Sequence, residues 1–132
     1  MTSERFESYG MDTLRITILG EPVPAQMGCQ LASGKVAASP RVRAYRKLVA
    51  LLTMHAVRRA GWTASRTDSF AVTARFFVGT ARTIDLDNLA KCLLDGLKGV
   101  VFPDDRQIYE LHLFKSIARG SARTEVEIAR LF

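Results

Sequence analysis

The chain has 132 residues, a length that suits one domain with a single modest core. No apolar run approaches the roughly 20 residues that a membrane-spanning helix needs, and the polar start of the chain has no apolar signal-peptide core, so neither a membrane partner nor export is expected. The formal net charge of +6 and the sequence pI of about 9.8 favour a polyanionic partner, although a basic surface without a partner would have the same composition.

The first part of the chain combines a predicted tail, a strand and a loop. Residues 1–12 are polar and without periodicity, which predicts a flexible tail before a domain of residues 13–132. Leu14–Ile18 alternates apolar and polar side chains and predicts a strand, which ends at the prolines that follow. Residues 25–38 are rich in small side chains and predict a loop, with at most a short strand at Lys35–Val36.

A long helix is predicted next. Ser39 is suited to cap its start, Pro40 to occupy the first helical position and Gly61 to end it. Apolar side chains recur at three- and four-residue spacing and predict one buried face: Val42, Tyr45, Leu48, Val49, Leu52 and Ala56. The basic residues fall mostly on the opposite face, so we expect this helix to present positive charge to solvent.

A second strand and a second helix follow. In Phe70–Val78 every second residue is apolar and shares one side, which predicts a strand. Asp87 or Asn88 is expected to cap a helix that runs to about Lys98. Its predicted apolar face is Leu89, Leu93 and Leu97. On the other side, Asp87, Lys91 and Asp95 follow at four-residue steps and therefore form one polar stripe.

The remainder predicts two further strands. A turn at residues 102–105 leads into an alternating strand over residues 108–114, and a turn at residues 119–121 leads into a returning strand, Glu125–Ile128. The predicted order is β-α-β-α-β-β, without a repeat or a linker. We therefore expect a single α/β (α+β) domain in which two main helices pack on a mixed β-sheet.

The positive charge is concentrated in one part of the chain. From Pro22 to Thr67 the sequence contains no Asp or Glu. The same span contains the basic residues Lys35, Arg41, Arg43, Arg46, Lys47, Arg58, Arg59 and Arg66. A positive field of this kind favours nucleic acid or another polyanion as the partner.

Cysteine and histidine positions exclude several kinds of site. Cys29 and Cys92 have no metal-ligand spacing with each other or with His55 and His112, so no zinc site is expected. Two free thiols are typical of a reducing, cytoplasmic compartment. The sequence also lacks a Ser/His/Asp set and a glycine-rich phosphate loop.

An acidic cluster interrupts this basic chain. Asp85 and Asp87 lie two residues apart, and Asp104 and Asp105 follow where the chain turns back. Hard divalent cations prefer such oxygen ligands, and Lys91 could neutralise charge developing on a phosphate. The alternative is a helix cap, an exposed turn and surface ion pairs. A calcium-binding EF-hand is excluded because its twelfth position would be glycine.

The order of these residues resembles a known family. Asp85-Leu-Asp-Asn-Leu-Ala-Lys91, Leu94-Asp-Gly-Leu97, Asp104-Asp-Arg-Gln-Ile108 and Lys115 closely resemble the motifs of the RusA family of Holliday junction resolvases. Ile16–Pro24 is similar to the first strand and proline turn of the family, and the resemblance covers roughly residues 14–130.

The resemblance implies a homodimeric, Mg²⁺-dependent endonuclease, with Mn²⁺ as a substitute ion, that binds four-way or branched DNA and cuts two strands symmetrically. The essential carboxylates of the family fall on Asp85, Asp87 and Asp105, as catalytic residues and metal ligands, and its essential lysine on Lys91. The roles of Asp95 and Asp104 are left open. The implied DNA contacts are Lys115, Arg82, Lys35, Arg41 and Arg43.

One departure concerns the loop after the proline turn, where many members carry basic or amide residues. Here only Gln26 fits, and Lys35, Arg41 and Arg43 are expected to compensate. Two alternatives stay open: a nuclease for flaps, forks or other branched DNA, and a non-catalytic, prophage-derived DNA-binding protein on the same scaffold. The second is disfavoured because all four catalytic positions are intact. An RNA-binding domain is disfavoured because there is no aromatic stacking motif.

Overall fold

The computed structural model describes residues 12–25, 28–30, 32–34, 36–80 and 84–132. Their helices and strands are β1 (Thr13–Leu19), β2 (Gly28–Gln30), β3 (Val36–Ala38), α1 (Pro40–Ala60), β4 (Phe70–Val78), α2 (Leu86–Leu97), a 3-10 helix (Asp105–Gln107), β5 (Ile108–Ile117) and β6 (Arg123–Arg130). The tail predicted before Thr13 lies outside the described residues except for Asp12, and Gln26, Lys35 and Arg82 also lie outside them.

The main sheet is mixed, as the sequence predicts. Within the described residues it has four strands in the order β1-β6-β4-β5, in which β4 and β5 are parallel and the other pairs are antiparallel. Both helices lie on it, so the predicted α+β class and the order β-α-β-α-β-β of the main elements are confirmed. β2 and β3 form a separate antiparallel pair. β3 overlaps the short strand expected at Lys35–Val36, whereas β2 lies where the sequence predicts a loop, because a three-residue strand has no readable alternation.

α1 begins and ends at the predicted residues. The Ser39 hydroxyl accepts a hydrogen bond of 3.2 Å from the Val42 N–H, and Gly61 adopts the left-handed conformation (φ 64°) that ends the helix. The prediction that Leu48 is buried is wrong: its side chain is 39% exposed. The buried stripe instead passes through Val49 and Thr53, and position 48 lies on its flank.

The core lies between the sheet and the two helices. β4 turns its alternate residues toward the helices, and they are fully buried with the predicted apolar face of α2: Phe70, Val72, Ala74, Phe76, Val78, Leu89, Leu93 and Leu97. Tyr45 of α1 reaches across this core, where its hydroxyl hydrogen-bonds the Thr124 hydroxyl of β6 at 2.9 Å. Burial raises the pKa of Tyr45 to about 12. Hydrophobic burial therefore fixes α2, which carries the acidic motif, against both α1 and the sheet.

α1 and α2 approach each other closely at Gly96. A Cβ atom at this position would lie 2.8 Å from two carbons of Val49 and 3.0 Å from the Arg46 carbonyl oxygen. One residue earlier, the Asp95 carboxylate forms an ion pair of 3.0 Å with Arg46. The Asp-Gly step of the motif is thus explained by packing: glycine admits the neighbouring helix, and the aspartate pairs with it.

No helix in the described part of the chain is both long and apolar enough to cross a membrane.

Candidate active site

The acidic motif lies at the start of α2. The helix begins at Leu86 and Asp85 occupies the capping position, so the prediction that Asp87 or Asn88 caps it is wrong. Among the described residues no hydrogen bond from the helix N–H groups reaches the Asp85 side chain, and the Asn88 amide donates to it at 3.4 Å. Asp87 therefore lies in the first helical turn, where the exposed N–H groups favour a negative charge. Its carboxylate is not used as a cap.

A groove between α2 and β5 collects most of the predicted catalytic residues. Its volume is about 270 Å³, and its polar lining is Asp87, Lys91, Asp95 and Asp105. Its apolar lining is Ala90, Leu94, Leu111 and Leu113. Asp87, Lys91 and Asp105 thus meet at one place although they come from two different elements. Asp85 is exposed and is not among the residues that line the groove.

Strand register explains the apolar floor of this groove. Leu111 is paired with Val72 and Leu113 with Ala74, and paired residues of neighbouring strands point to the same face of a sheet. Val72 and Ala74 face the helices, so the two leucines do so as well. Because β5 is at the edge, they are only partly covered and leave an apolar surface beside the carboxylates.

The 3-10 helix assigns different roles to the two adjacent aspartates. Asp104 caps it: the Arg106 N–H donates to the Asp104 carboxylate at 3.0 Å. This hydrogen bond, together with the positive charge of the Arg106 guanidinium, holds the pKa of Asp104 below its ordinary value. Asp105 begins the helix and lines the groove. The turn thus gives Asp104, whose role the sequence left open, a capping position, and it places Asp105 on the groove.

Gln107 fixes the same turn; it belongs to the motif Asp104–Ile108, but the sequence indicated no role for it. Its side-chain oxygen accepts from the Asp104 N–H at 3.1 Å, which completes a capping box. Its amide group donates to the carbonyl oxygens of Ser65 (2.8 Å) and Asp68 (3.0 Å). The residue is buried, and it ties the turn that carries Asp105 to the loop before β4. The signal was the capping-box spacing of Asp104 and Gln107.

Three further contacts anchor the segments around the motif. The ammonium group of Lys115, on β5, donates a hydrogen bond to the carbonyl oxygen of Ile84, the residue directly before Asp85. The Ala25 N–H donates to the Asn88 carbonyl at 3.0 Å, which joins the proline turn to the start of α2. The Glu21 carboxylate accepts from the Gly79 N–H at 3.0 and 3.1 Å. The motif is therefore contacted from both edges of the sheet, by the turn after β1 and by β5.

The basic residues predicted to contact DNA are only partly described. Arg41 and Arg43 are exposed near the start of α1, and Lys115 is exposed on β5. Lys35 and Arg82 lie outside the described residues. Arg46, one turn after Arg43, pairs with Asp95, so the basic side of α1 borders the groove.

The donor set is compatible with a magnesium ion. Among the residues that the structure describes, no group of three or more His, Cys, Asp or Glu side chains lies close enough to hold a metal. Mg²⁺ usually takes one or two protein carboxylates and completes its shell with water and substrate phosphate. Asp87 and Asp105 on one groove satisfy that requirement with hard oxygen ligands.

Comparison with known proteins adds an independent finding. A family model described as endodeoxyribonuclease RusA matches residues 20–129. No curated protein matches the chain. The matched range contains α2, the 3-10 helix and β5, which together form the groove.

Proposed function

Because the chain belongs to the RusA endodeoxyribonuclease family, we propose that it resolves four-way DNA junctions by paired, Mg²⁺-dependent cuts in two strands. The observation that carries the proposal is the meeting of Asp87, Lys91 and Asp105 on one groove. Two carboxylates with a lysine, in a chain of net charge +6, suit the hydrolysis of a phosphodiester within a polyanion.

In this proposal Asp87 and Asp105 hold the cation. Asp85 is kept as a third proposed ligand, because its exposed carboxylate lies two residues before Asp87. When bound, Mg²⁺ would supply charge neutralisation at the scissile phosphate. Mn²⁺, which also accepts oxygen ligands, is expected to replace it.

Lys91 is proposed to stabilise the transition state. It lies one helical turn after Asp87 and shares the groove with it. The ammonium group would therefore face the phosphate oxygens on which negative charge accumulates. The apolar floor of Leu111 and Leu113 would exclude water there, which strengthens electrostatic interactions.

Paired cutting requires two active sites related by a two-fold axis, and a homodimer supplies them. We place the dimer interface along β5, which is one edge of the sheet that the described strands form. Two large apolar side chains along it, beyond the groove, are 49% and 55% exposed: Phe114 and Ile117. An exposed, apolar edge strand invites pairing with a second copy. Sedimentation should therefore give a dimer, and a monomer that still makes paired cuts would contradict the proposal.

The function is tested by offering a synthetic four-way junction beside linear duplex, flap and fork substrates, with Mg²⁺ or with EDTA. We expect symmetric cuts in the junction only when Mg²⁺ is present. Equal or faster cutting of flaps or forks would favour the broader branched-DNA nuclease. Binding without cutting of any substrate would favour the non-catalytic DNA-binding protein.

A further inference from the structure

A second concavity adjoins the turn that carries Asp105. Its volume is about 580 Å³, and it is lined by the loop before β4 and by the neighbours of Asp105 on the 3-10 helix. We call it the Arg66–Arg106 cleft, after two of its lining residues. Asp105 lines the catalytic groove and the next residue, Arg106, lines the cleft. One short turn therefore separates the two concavities.

The carboxylates of the cleft are already neutralised. The Asp68 carboxylate accepts from Arg130 at 2.7 Å and from the Ser65 N–H at 2.8 Å. Asp104 accepts from the Arg106 N–H at 3.0 Å and pairs with the Arg106 guanidinium at 3.3 Å. Neither carboxylate would repel an anion as a bare charge would.

The arginines of the cleft keep unused hydrogen-bond capacity. Arg66 is exposed and has no carboxylate partner among the described residues. The Arg106 side chain is 86% exposed and touches Asp104 through one nitrogen, so other N–H groups of its guanidinium face solvent. Two guanidinium groups at one concavity are suited to phosphate oxygens, which they can bind with paired donors.

The rim adds groups that suit a nucleotide. Tyr109 is skipped by the register shift between Phe70 and Ala71, and its side chain is 66% exposed. Its ring packs edge-on against Phe132, at 5.6 Å between ring centroids, which leaves a face available. Thr67, whose hydroxyl hydrogen-bonds the Ser65 hydroxyl at 3.0 Å, also lines the cleft. Aromatic rings and hydroxyls beside arginine are common contacts to bases, sugars and phosphates.

We propose that the Arg66–Arg106 cleft binds a backbone phosphate of the same DNA strand whose scissile phosphate enters the groove. The inference rests on the proposed function and adds a contact to it. A strand lying across the 3-10 turn would be held on both sides of Asp105. Phosphate contacts carry no sequence information, and they fix register. The cleft would therefore set which phosphate reaches Asp87, Lys91 and Asp105.

The test measures junction binding by Asp87→Asn protein, which we expect to bind without cutting, over a series of salt concentrations. Arg66→Ala and Arg106→Ala should each weaken binding and lower the slope of log affinity against log salt by about 1. Arg15→Ala is the matched control, because Arg15 lies on β1, at the edge of the sheet opposite β5, where it pairs with Glu127 at 2.8 Å. Arg66→Lys should restore most of the slope, since it keeps the charge.

In the active protein, Arg66→Ala should raise KM for the junction and leave kcat within about twofold, since the contact is made before and during the reaction alike. If both cleft variants bind and cut the junction normally and have the same salt slope as Arg15→Ala, the cleft is overturned and the function stays intact. Protein that neither binds nor cuts branched DNA would overturn both.

Discussion

Replacing Gly96 with alanine tests the packing that positions the acidic motif. In a solvent-exposed helix the change would stabilise the protein by about 1 kcal/mol, because glycine is a poor helix former. Here the new methyl group would lie 2.8 Å from two carbons of Val49 and 3.0 Å from a backbone oxygen of α1. Ordinary carbon–carbon contacts are about 3.5–4.0 Å, so α1 and α2 must separate.

The expected magnitude follows from these two opposing terms. Overpacking of a filled core costs about 1–3 kcal/mol, and the gain in helix propensity offsets about 1 kcal/mol of it. We therefore expect a loss of up to about 2 kcal/mol in the free energy of unfolding. For a chain of 132 residues this lowers Tm by several degrees.

Urea denaturation with a double-mutant cycle measures this effect. Val49→Ala alone should destabilise, because it removes two buried methyl groups. In the Gly96→Ala background the same change should cost less, since it removes Val49 Cγ1, one of the two close carbons, and the two effects should couple by about 0.5 kcal/mol or more. Gly96→Ala protein that is more stable than the wild type would refute the close approach of the helices.

Three further expectations concern single side chains. Lys91→Ala should reduce kcat far more than junction affinity, and an equal loss of both would make Lys91 a DNA anchor instead of a catalytic group. Gln107→Glu keeps the acceptor for the Asp104 N–H and loses the amide donors to Ser65 and Asp68. We therefore expect a loss of about 1–3 kcal/mol in the free energy of unfolding, together with slower cutting. Unchanged cutting would show that the turn does not need this anchor. Tyr45 has a folded-state pKa raised from 10.0 to about 12, so the stability that its neutral phenol contributes to the fold is complete below pH 10 and is lost as pH rises toward 12. Tyr45→Phe should show a smaller fall in stability over that window by urea denaturation, and identical pH profiles would contradict the burial of the phenol.

Local patterns in the sequence were sufficient for most of the fold. Ser39 and Gly61 marked the ends of α1 because capping depends on residues next to the helix end. The period-two pattern of residues 70–78 defined β4 because its two faces meet different surroundings. β2 and β3 carry no such pattern, since their pairing rests on backbone hydrogen bonds. Leu48 was misplaced because hydrophobicity does not distinguish the centre of a helical stripe from its flank.

The candidate site was predictable in its residues and not in its arrangement. Asp87, Lys91 and Asp105 were identified from motif order, and their meeting depends on the parallel pairing of β4 with β5, which no local pattern reports. The contrast between Asp104 and Asp105 depends on which of them caps a three-residue helix. The Arg66–Arg106 cleft joins residues forty positions apart in the chain through the hydrogen bonds of Gln107, so it was invisible in the sequence.

The most direct test of the central claim compares neighbouring aspartates in one junction-cleavage assay with Mg²⁺. Asp105→Asn removes a carboxylate from the groove, whereas Asp104→Asn replaces one capping residue with another that caps equally well. We predict that Asp105→Asn binds the junction and does not cut it, and that Asp104→Asn cuts within about tenfold of the wild-type rate, a difference of at most about 1.4 kcal/mol in the barrier. Wild-type cutting by Asp105→Asn, or an inactive Asp104→Asn beside an active Asp105→Asn, would contradict the proposed site.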